Sequence, residues 1–224
     1  MSFIQQKSMF KIEHKQNKIK KLSNLFPNNI RSLIIGASGS GKTVVLYNLI
    51  VRKEGLKFTN LYIISQSLEQ EKYKKIIEIF KLCGDEVKLH TSSVCDITPQ
   101  DVEKYSMVVF DDISSPNIAQ FYSMGRHRSI SCFYLCQSYT KVQKHIRDNT
   151  NFLIIFKQDD LNLKHIYNNH VGNDFTFKQF RNLCHQCWDK QKYGFIIIDK
   201  ERGKNNGKYR FMFDQFYNDQ ELVC

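Results

Sequence analysis

The stretch Ile34-Ile35-Gly36-Ala37-Ser38-Gly39-Ser40-Gly41-Lys42-Thr43 decides the fold. It satisfies G-x-x-x-x-G-K-[ST] at every defined position, the pattern of a phosphate-binding P-loop. The run Ser32-Leu33-Ile34-Ile35 leading into it predicts a buried strand. The run Val44-Val45-Leu46-Tyr47-Asn48-Leu49-Ile50-Val51 behind it predicts a helix, with Gly55 as its stop. Strand, glycine loop and helix is the order the motif requires. Glycines let backbone N–H groups approach phosphate with no Cβ in the way, and the helix N-terminus adds partial positive charge. Gly36, Ala37, Ser38, Gly39, Ser40, Gly41, Lys42 and Thr43 are therefore the expected nucleotide-binding residues. Lys42 suits the β- and γ-phosphates as a point charge, and the Thr43 hydroxyl suits Mg²⁺.

A P-loop enzyme needs a second acidic motif, and Ser106-Met107-Val108-Val109-Phe110-Asp111-Asp112 supplies one. An apolar strand in a parallel sheet delivers its terminal residues to the rim where the ligand binds. Asp111 is the expected Mg²⁺ ligand, directly or through water, and Asp112 the expected group to polarise an attacking water. A further apolar strand, Ile130-Ser131-Cys132-Phe133-Tyr134-Leu135-Cys136, ends in Gln137, placed to sense the γ-phosphate or the water.

The remaining segments alternate between strand and helix. Strands are expected at residues 59–65, 87–90 and 151–157. Helices are expected at 69–83 (Tyr73, Ile76, Ile77 and Phe80 on one face, Gly84 as stop), from Ser115-Pro116 to Met124, and at 161–169 and 175–188. A short helix or loop is expected at 142–147, and Thr98-Pro99 predicts a brief helix with Thr98 as N-cap. Residues 193–199 and 209–213 flank Arg202-Gly203-Lys204-Asn205-Asn206-Gly207 as a hairpin with a basic tip. This alternation predicts an α/β fold with a mostly parallel central sheet, helices on both faces and a C-terminal β-hairpin. A basic N-terminal segment, residues 1–30, precedes an ATPase domain over 31–224; Ser8-Met9-Phe10-Lys11-Ile12 within it suits a short edge strand.

The chain has 224 residues, 42% of them hydrophobic, enough for one substantial core. Lys and Arg number 33 against 22 Asp and Glu, a net charge of +11 that suits a polyanion partner. No apolar run approaches the ~20 residues of a membrane span, so no membrane partner is expected. Met1-Ser2-Phe3-Ile4-Gln5-Gln6-Lys7 lacks a secretory apolar core, and the seven cysteines are an odd number. Both point to a soluble protein with free thiols in a reducing compartment. Cys184-His185-Gln186-Cys187 has half a zinc site's spacing without a second ligand pair, and is expected to be helix-face thiols.

Five elements in order resemble the genome-packaging ATPases of the FtsK/HerA group, found in poxviruses, other large DNA viruses and virophages. They are residues 36–43; 108–112; Gly125-Arg126-His127-Arg128 before a strand; Gln137-Ser138-Tyr139 after it; and Ile146-Arg147-Asp148-Asn149. The resemblance spans residues 33–213. It implies a RecA-like (ASCE) P-loop NTPase core and Mg²⁺-dependent ATP hydrolysis. It also implies a pentameric or hexameric homo-oligomeric ring, movement of double-stranded DNA into a preformed capsid, and capsid vertex proteins as partners. The setting would be the virion or the host cytoplasm. By the same resemblance Lys42 and Thr43 are nucleotide and Mg²⁺ ligands, Asp111 the metal acid and Asp112 the catalytic acid, where many relatives of the wider class carry Glu. Gln137 matches the sensor. Arg126, Arg128 and Arg147 are candidates for the arginine given to a neighbour's ATP, with Arg126 and Arg128 favoured.

Two other readings stay open on the residues alone. One is a P-loop nucleoside or nucleotide kinase, which would transfer phosphate to an acceptor instead of water. The other is a nucleotide-regulated DNA-binding protein, for which Lys42 would matter and Asp112 would not.

Overall fold

A computed structural model describes residues 25–52, 55–83 and 87–217. Most of the basic N-terminal segment, with the strand expected at 8–12, lies outside the described residues, as does Gly84. In chain order the elements are β1 (Arg31–Ile35), α1 (Lys42–Val51), β2 (Asn60–Ser65), α2 (Glu71–Cys83), β3 (Lys88–Ser92), β4 (Met107–Asp111), α3 (Asn117–Met124), β5 (Ser131–Cys136), α4 (Lys144–Asn149), β6 (Phe152–Ile155), α5 (Asp160–Ile166), α6 (Phe177–Asp189), β7 (Ile196–Asp199), β8 (Tyr209–Phe211) and β9 (Gln215–Phe216). The described residues divide into two compact units, one within residues 25–29 and 43–134, the other within residues 30–42 and 135–217.

In the first unit β2 pairs in parallel with both β3 and β4, with Tyr62 opposite His90 and Ser65 opposite Asp111. The apolar run of β4 is wholly buried, as a strand covered on both faces must be. The N–H of Ser131, where β5 begins, donates to the carbonyl of Ser106. Helix α2 buries Tyr73, Ile76, Ile79 and Phe80, while Ile77 is only half-buried. The buried stripe follows the i, i+3, i+7 spacing from Tyr73, with Ile79 taking the place expected for Ile77. The helix expected after Thr98 is instead a single turn. Asp101 N–H donates to Thr98 O, and the Thr98 N–H and hydroxyl both donate to the Asp101 carboxylate at 2.8 and 2.7 Å. Side-chain bonding of this kind offers the backbone an alternative to helix.

In the second unit β1 pairs in parallel with β6, from Ser32 opposite Phe152 to Ile35 opposite Ile155. Gly36 N–H donates to the carbonyl of Cys136 at the end of β5. From β6 onward the ladder turns antiparallel through β7, β8 and β9, so the expected C-terminal hairpin is present. The Phe152-Leu153-Ile154-Ile155 and Ile196-Ile197-Ile198 runs are fully buried. Helix α6 starts at a reciprocal capping box: the Thr176 hydroxyl accepts from Gln179 N–H while the Gln179 side chain accepts from Thr176 N–H. Cys184 and Cys187 lie on its buried face, where burial pushes their thiols up. Helix α5 is capped by the Asp159 carboxylate accepting from Asn162 N–H, and gives way to a π-helical turn, Tyr167–Val171, where α-helix was expected. The hairpin closes over a buried ion pair of Asp199 with Arg210, whose guanidinium also donates to Gly207 O. Such a pair offsets its desolvation only when its remaining hydrogen-bonding groups are also met.

Candidate nucleotide site

The second unit carries the glycine loop, entered from β1 and left through α1. Gly39 and Gly41 take φ of +73° and +105°, where a side chain would be strained. At Gly36 space is the constraint: a Cβ would fall 2.4 Å from Ser40 Oγ and 2.8 Å from Phe156 Cβ. The three glycines thus form a cradle that other residues would fill or distort. The Lys42 ammonium lies within it, donating to the carbonyls of Gly36 at 2.6 Å and Ala37 at 3.0 Å. Ser40 Oγ is shut away from solvent and has no hydrogen-bond partner among the described residues. An orphaned hydroxyl beside a cation, in a cradle of helix-terminal backbone, fits a phosphate oxygen. Ala37, Ser38 and Gly39 are exposed at the loop's tip.

The first unit carries Thr43, in the first turn of α1, and the two acids. Asp111 closes β4 and is buried, and its Oδ2 accepts a 2.6 Å hydrogen bond from the Tyr73 hydroxyl. Tyr73 is fully buried, and burial followed by the charge of Asp111 pushes its phenol far up, so it remains a donor. Asp112 is exposed and takes φ of +54°. Left-handed backbone is uncommon outside glycine, and Asp and Asn tolerate it best because their short side chains bond locally. That supplies a physical reason for aspartate in place of a longer acid here. Thr43 and Asp111 offer hard oxygen donors of the kind that suit Mg²⁺.

Gln137 lies one residue beyond β5 and is exposed, on a loop anchored immediately after it. Ser138 Oγ donates to Asn162 Oδ1 at 3.1 Å, as does Thr140 N–H at 3.2 Å. Tyr139 is buried with its hydroxyl 2.7 Å from His170 Nε2 and accepting from Asn169. The three candidate arginines differ in their surroundings. Arg128 donates to the carbonyls of Gln100 and Val102, and Arg147 lies over the Tyr139 ring at 5.2 Å. Arg126, in the 3-10 turn Gly125–Arg128, is exposed. The cations of the basic hairpin tip are engaged within the fold. Arg202 pairs with Asp199 at 3.0 Å, Lys208 pairs with Asp174, and Lys204 stacks over Phe175 at 4.6 Å. The lysines of residues 7–21 lie outside the described residues.

The sequence placed Tyr73 only on an apolar helix face and missed its bond to Asp111. The available signal was chemical: a phenol on a face of isoleucine and phenylalanine must find a partner for its hydroxyl.

Residues 17–215 match the model of the poxvirus A32 protein family. No curated protein sequence matches the chain. Among solved structures, the fold is similar to the DNA-packaging ATPase B204 of Sulfolobus turreted icosahedral virus, with a TM-score of 0.54 at 17% identity. That match covers 78% of this chain and 94% of the other. It is also similar to the genome packaging NTPase B204 of Sulfolobus turreted icosahedral virus 2. In its complex with AMP the TM-score is 0.52 at 14% identity, over 79% and 95% of the two chains. In its complex with ATP-gammaS the TM-score is 0.52 at 15% identity, over 78% and 94%. At these identities the likeness shows a shared fold and nothing further.

Proposed function

The chain belongs to the poxvirus A32 protein family, and from that premise we propose that it is an ATP-hydrolysing motor that moves double-stranded viral DNA into a preformed capsid. The observation that carries this reading is the glycine cradle at Gly36 and Gly41, with Lys42 and the orphaned Ser40 hydroxyl inside it. The names of the structural relatives, a DNA-packaging ATPase and a packaging NTPase bound to AMP or ATP-gammaS, support the same reading.

In this mechanism residues 36–43 bind the triphosphate, and Lys42 exchanges its loop carbonyls for phosphate oxygens. Thr43 and Asp111 would hold Mg²⁺, which would supply positive charge to screen the phosphates. Asp112 accepts hydrogen bonding from the attacking water and fixes its approach, while Gln137 contacts the γ-phosphate end. Arg126 is the preferred arginine donated to a neighbouring copy's ATP, because it is exposed, whereas Arg128 donates to Val102 O and Arg147 lies over the Tyr139 ring. An arginine supplied in trans is worth ~10³–10⁵ in rate for this chemistry, so turnover should depend on assembly into a pentameric or hexameric ring. The excess of basic residues serves backbone contacts to DNA, which weaken steeply with salt. Capsid vertex proteins are the docking partners, at the site of virion assembly in the host cytoplasm.

Phosphate release by the full chain, measured with and without duplex DNA over a range of protein concentrations, tests the proposal. Stimulation by DNA with a steep concentration dependence is the expected result. Indifference to both overturns it, and phosphate appearing on a nucleoside or nucleotide acceptor would establish the kinase reading instead.

A further inference from the structure

We infer that Tyr73 is a positioning residue for metal binding: its hydroxyl sets the orientation in which the Asp111 carboxylate meets Mg²⁺. The inference rests on the ATPase reading above, which gives Asp111 its metal.

The geometry is specific. Tyr73 stands in the first turn of α2, 38 residues before Asp111, and its hydroxyl lies 2.6 Å from Asp111 Oδ2. That distance belongs to the short class of O–H bonds to an ionised acceptor, which are roughly twice as strong as neutral ones. The phenol has 0% of its surface exposed and Asp111 7%, so bulk water does not compete for the bond.

The chemistry follows from the torsion being controlled. The terminal torsion of an aspartate is broad, so a carboxylate at a strand end has no strong intrinsic orientation. A donor fixed in a helix removes that freedom. The neighbouring backbone is fixed as well, because Asp111 pairs in register with Ser65 of β2, the strand that leads to α2. Asp111 is thus held through its main chain by β2 and through its side chain by α2. Hydrogen-bond partners of a metal-ligating group typically contribute 10–100-fold to metal affinity, by presenting the ligand ready-oriented. A hydroxyl that only satisfied a buried acceptor would contribute to stability and leave metal affinity alone.

Manganese serves as the probe. The full chain, with ATP present, is titrated with Mn²⁺ and bound metal is followed by electron paramagnetic resonance. Wild type is compared with Tyr73→Phe, Asp111→Asn and Ile76→Ala, with thermal unfolding of each as the folding check. Ile76→Ala opens space on the same buried face without touching the hydroxyl. The expected result is a rise of about tenfold in half-saturating Mn²⁺ for Tyr73→Phe and no change for Ile76→Ala. Turnover of Tyr73→Phe at saturating Mg²⁺ should stay within about twofold of wild type, so that the defect lies in metal binding and not in the chemical step. Wild-type metal affinity in a folded Tyr73→Phe chain overturns the inference, and so does a Tyr73→Phe chain that cannot fold, since the hydroxyl would then be a structural contact. If Asp111→Asn binds Mn²⁺ as wild type does, the ATPase assignment of Asp111 has failed first. If Asp111→Asn loses the metal while Tyr73→Phe keeps it, that assignment stands and only the role of Tyr73 falls.

Discussion

Lys42 Nζ lies 2.6 Å from the carbonyl oxygen of Gly36, so the P-loop lysine bonds the first residue of its own loop. The loop therefore holds its cation where phosphate is expected. Lys42→Ala should weaken ATP binding by about 10–100-fold, the equivalent of one charge-assisted hydrogen bond of ~1.5–3 kcal/mol. Equilibrium binding of a fluorescent ATP analogue checks this. Affinity unchanged from wild type would remove Lys42 from the site.

Asp112 combines a left-handed backbone with a proposed catalytic carboxylate, and the two can be separated. Glycine adopts φ of +54° without strain, so Asp112→Gly should remain within about 1 kcal/mol of wild-type stability, strain relief offsetting glycine's entropy cost. Its phosphate release should fall to background, as should that of Asp112→Asn, with ATP binding retained in both. Thermal unfolding and phosphate assays on the same preparations decide the matter. Full turnover in either variant would end the catalytic assignment.

Arg126 is proposed to act on a neighbouring copy, and complementation tests that directly. Arg126→Ala chains and Lys42→Ala chains should each be nearly inactive alone, with losses of up to ~10³ or more. Mixed, they should recover turnover, because Lys42→Ala subunits still donate Arg126 to the intact sites of the others. Failure to recover in mixed assemblies would shift the role elsewhere. Arg128→Ala should instead lower the unfolding temperature, since Arg128 bonds the carbonyls of Gln100 and Val102.

His170 gives the fold a sensitivity to acid. It is buried against Tyr139, and burial, reinforced by the charges of Lys200, Arg147 and Lys208 against the opposing pull of Asp148, pushes its pKa down from 6.5 to about 3. Above pH 6.5 the imidazole is neutral in folded and unfolded chains alike and adds no slope. Below it the unfolded chain binds a proton that the folded chain refuses, so stability is lost as pH falls from about 6.5 toward 3. The loss approaches ~1.4 kcal/mol per pH unit within that window. In His170→Gln the decline in unfolding temperature between pH 6.5 and 4.5 should be shallower than in wild type. Parallel curves would show that other groups carry the acid sensitivity.

The strand, loop and helix around Gly36 were legible because glycine spacing and flanking apolar runs speak to one local geometry. The acid strand was legible for the same reason: residues 107–110 are continuously apolar, and the run stops at a charge. The C-terminal hairpin was also visible in its two apolar runs. Three features were not. Thr98-Pro99 carries good helix-start chemistry, yet Asp101 captures the Thr98 donors and the turn goes no further. The basic tip showed charges without partners in the sequence, and Asp174 and Asp199 claim Lys208 and Arg202 in space. Tyr73 and Asp111 meet only through the tertiary fold, and no pattern in either segment encodes their pairing.

The molecule contains a single tryptophan, and its position gives the chain a built-in optical reporter. The indole N–H of Trp188 donates to the carbonyl of Ile155, and the next residue, Phe156, is the one whose ring and Cβ close off Gly36 and Gly41. Emission from Trp188 therefore originates two short steps from the glycine cradle, with no second fluorophore of its kind to dilute the signal. Occupancy of the loop is therefore expected to register in the intrinsic fluorescence of the unlabelled protein.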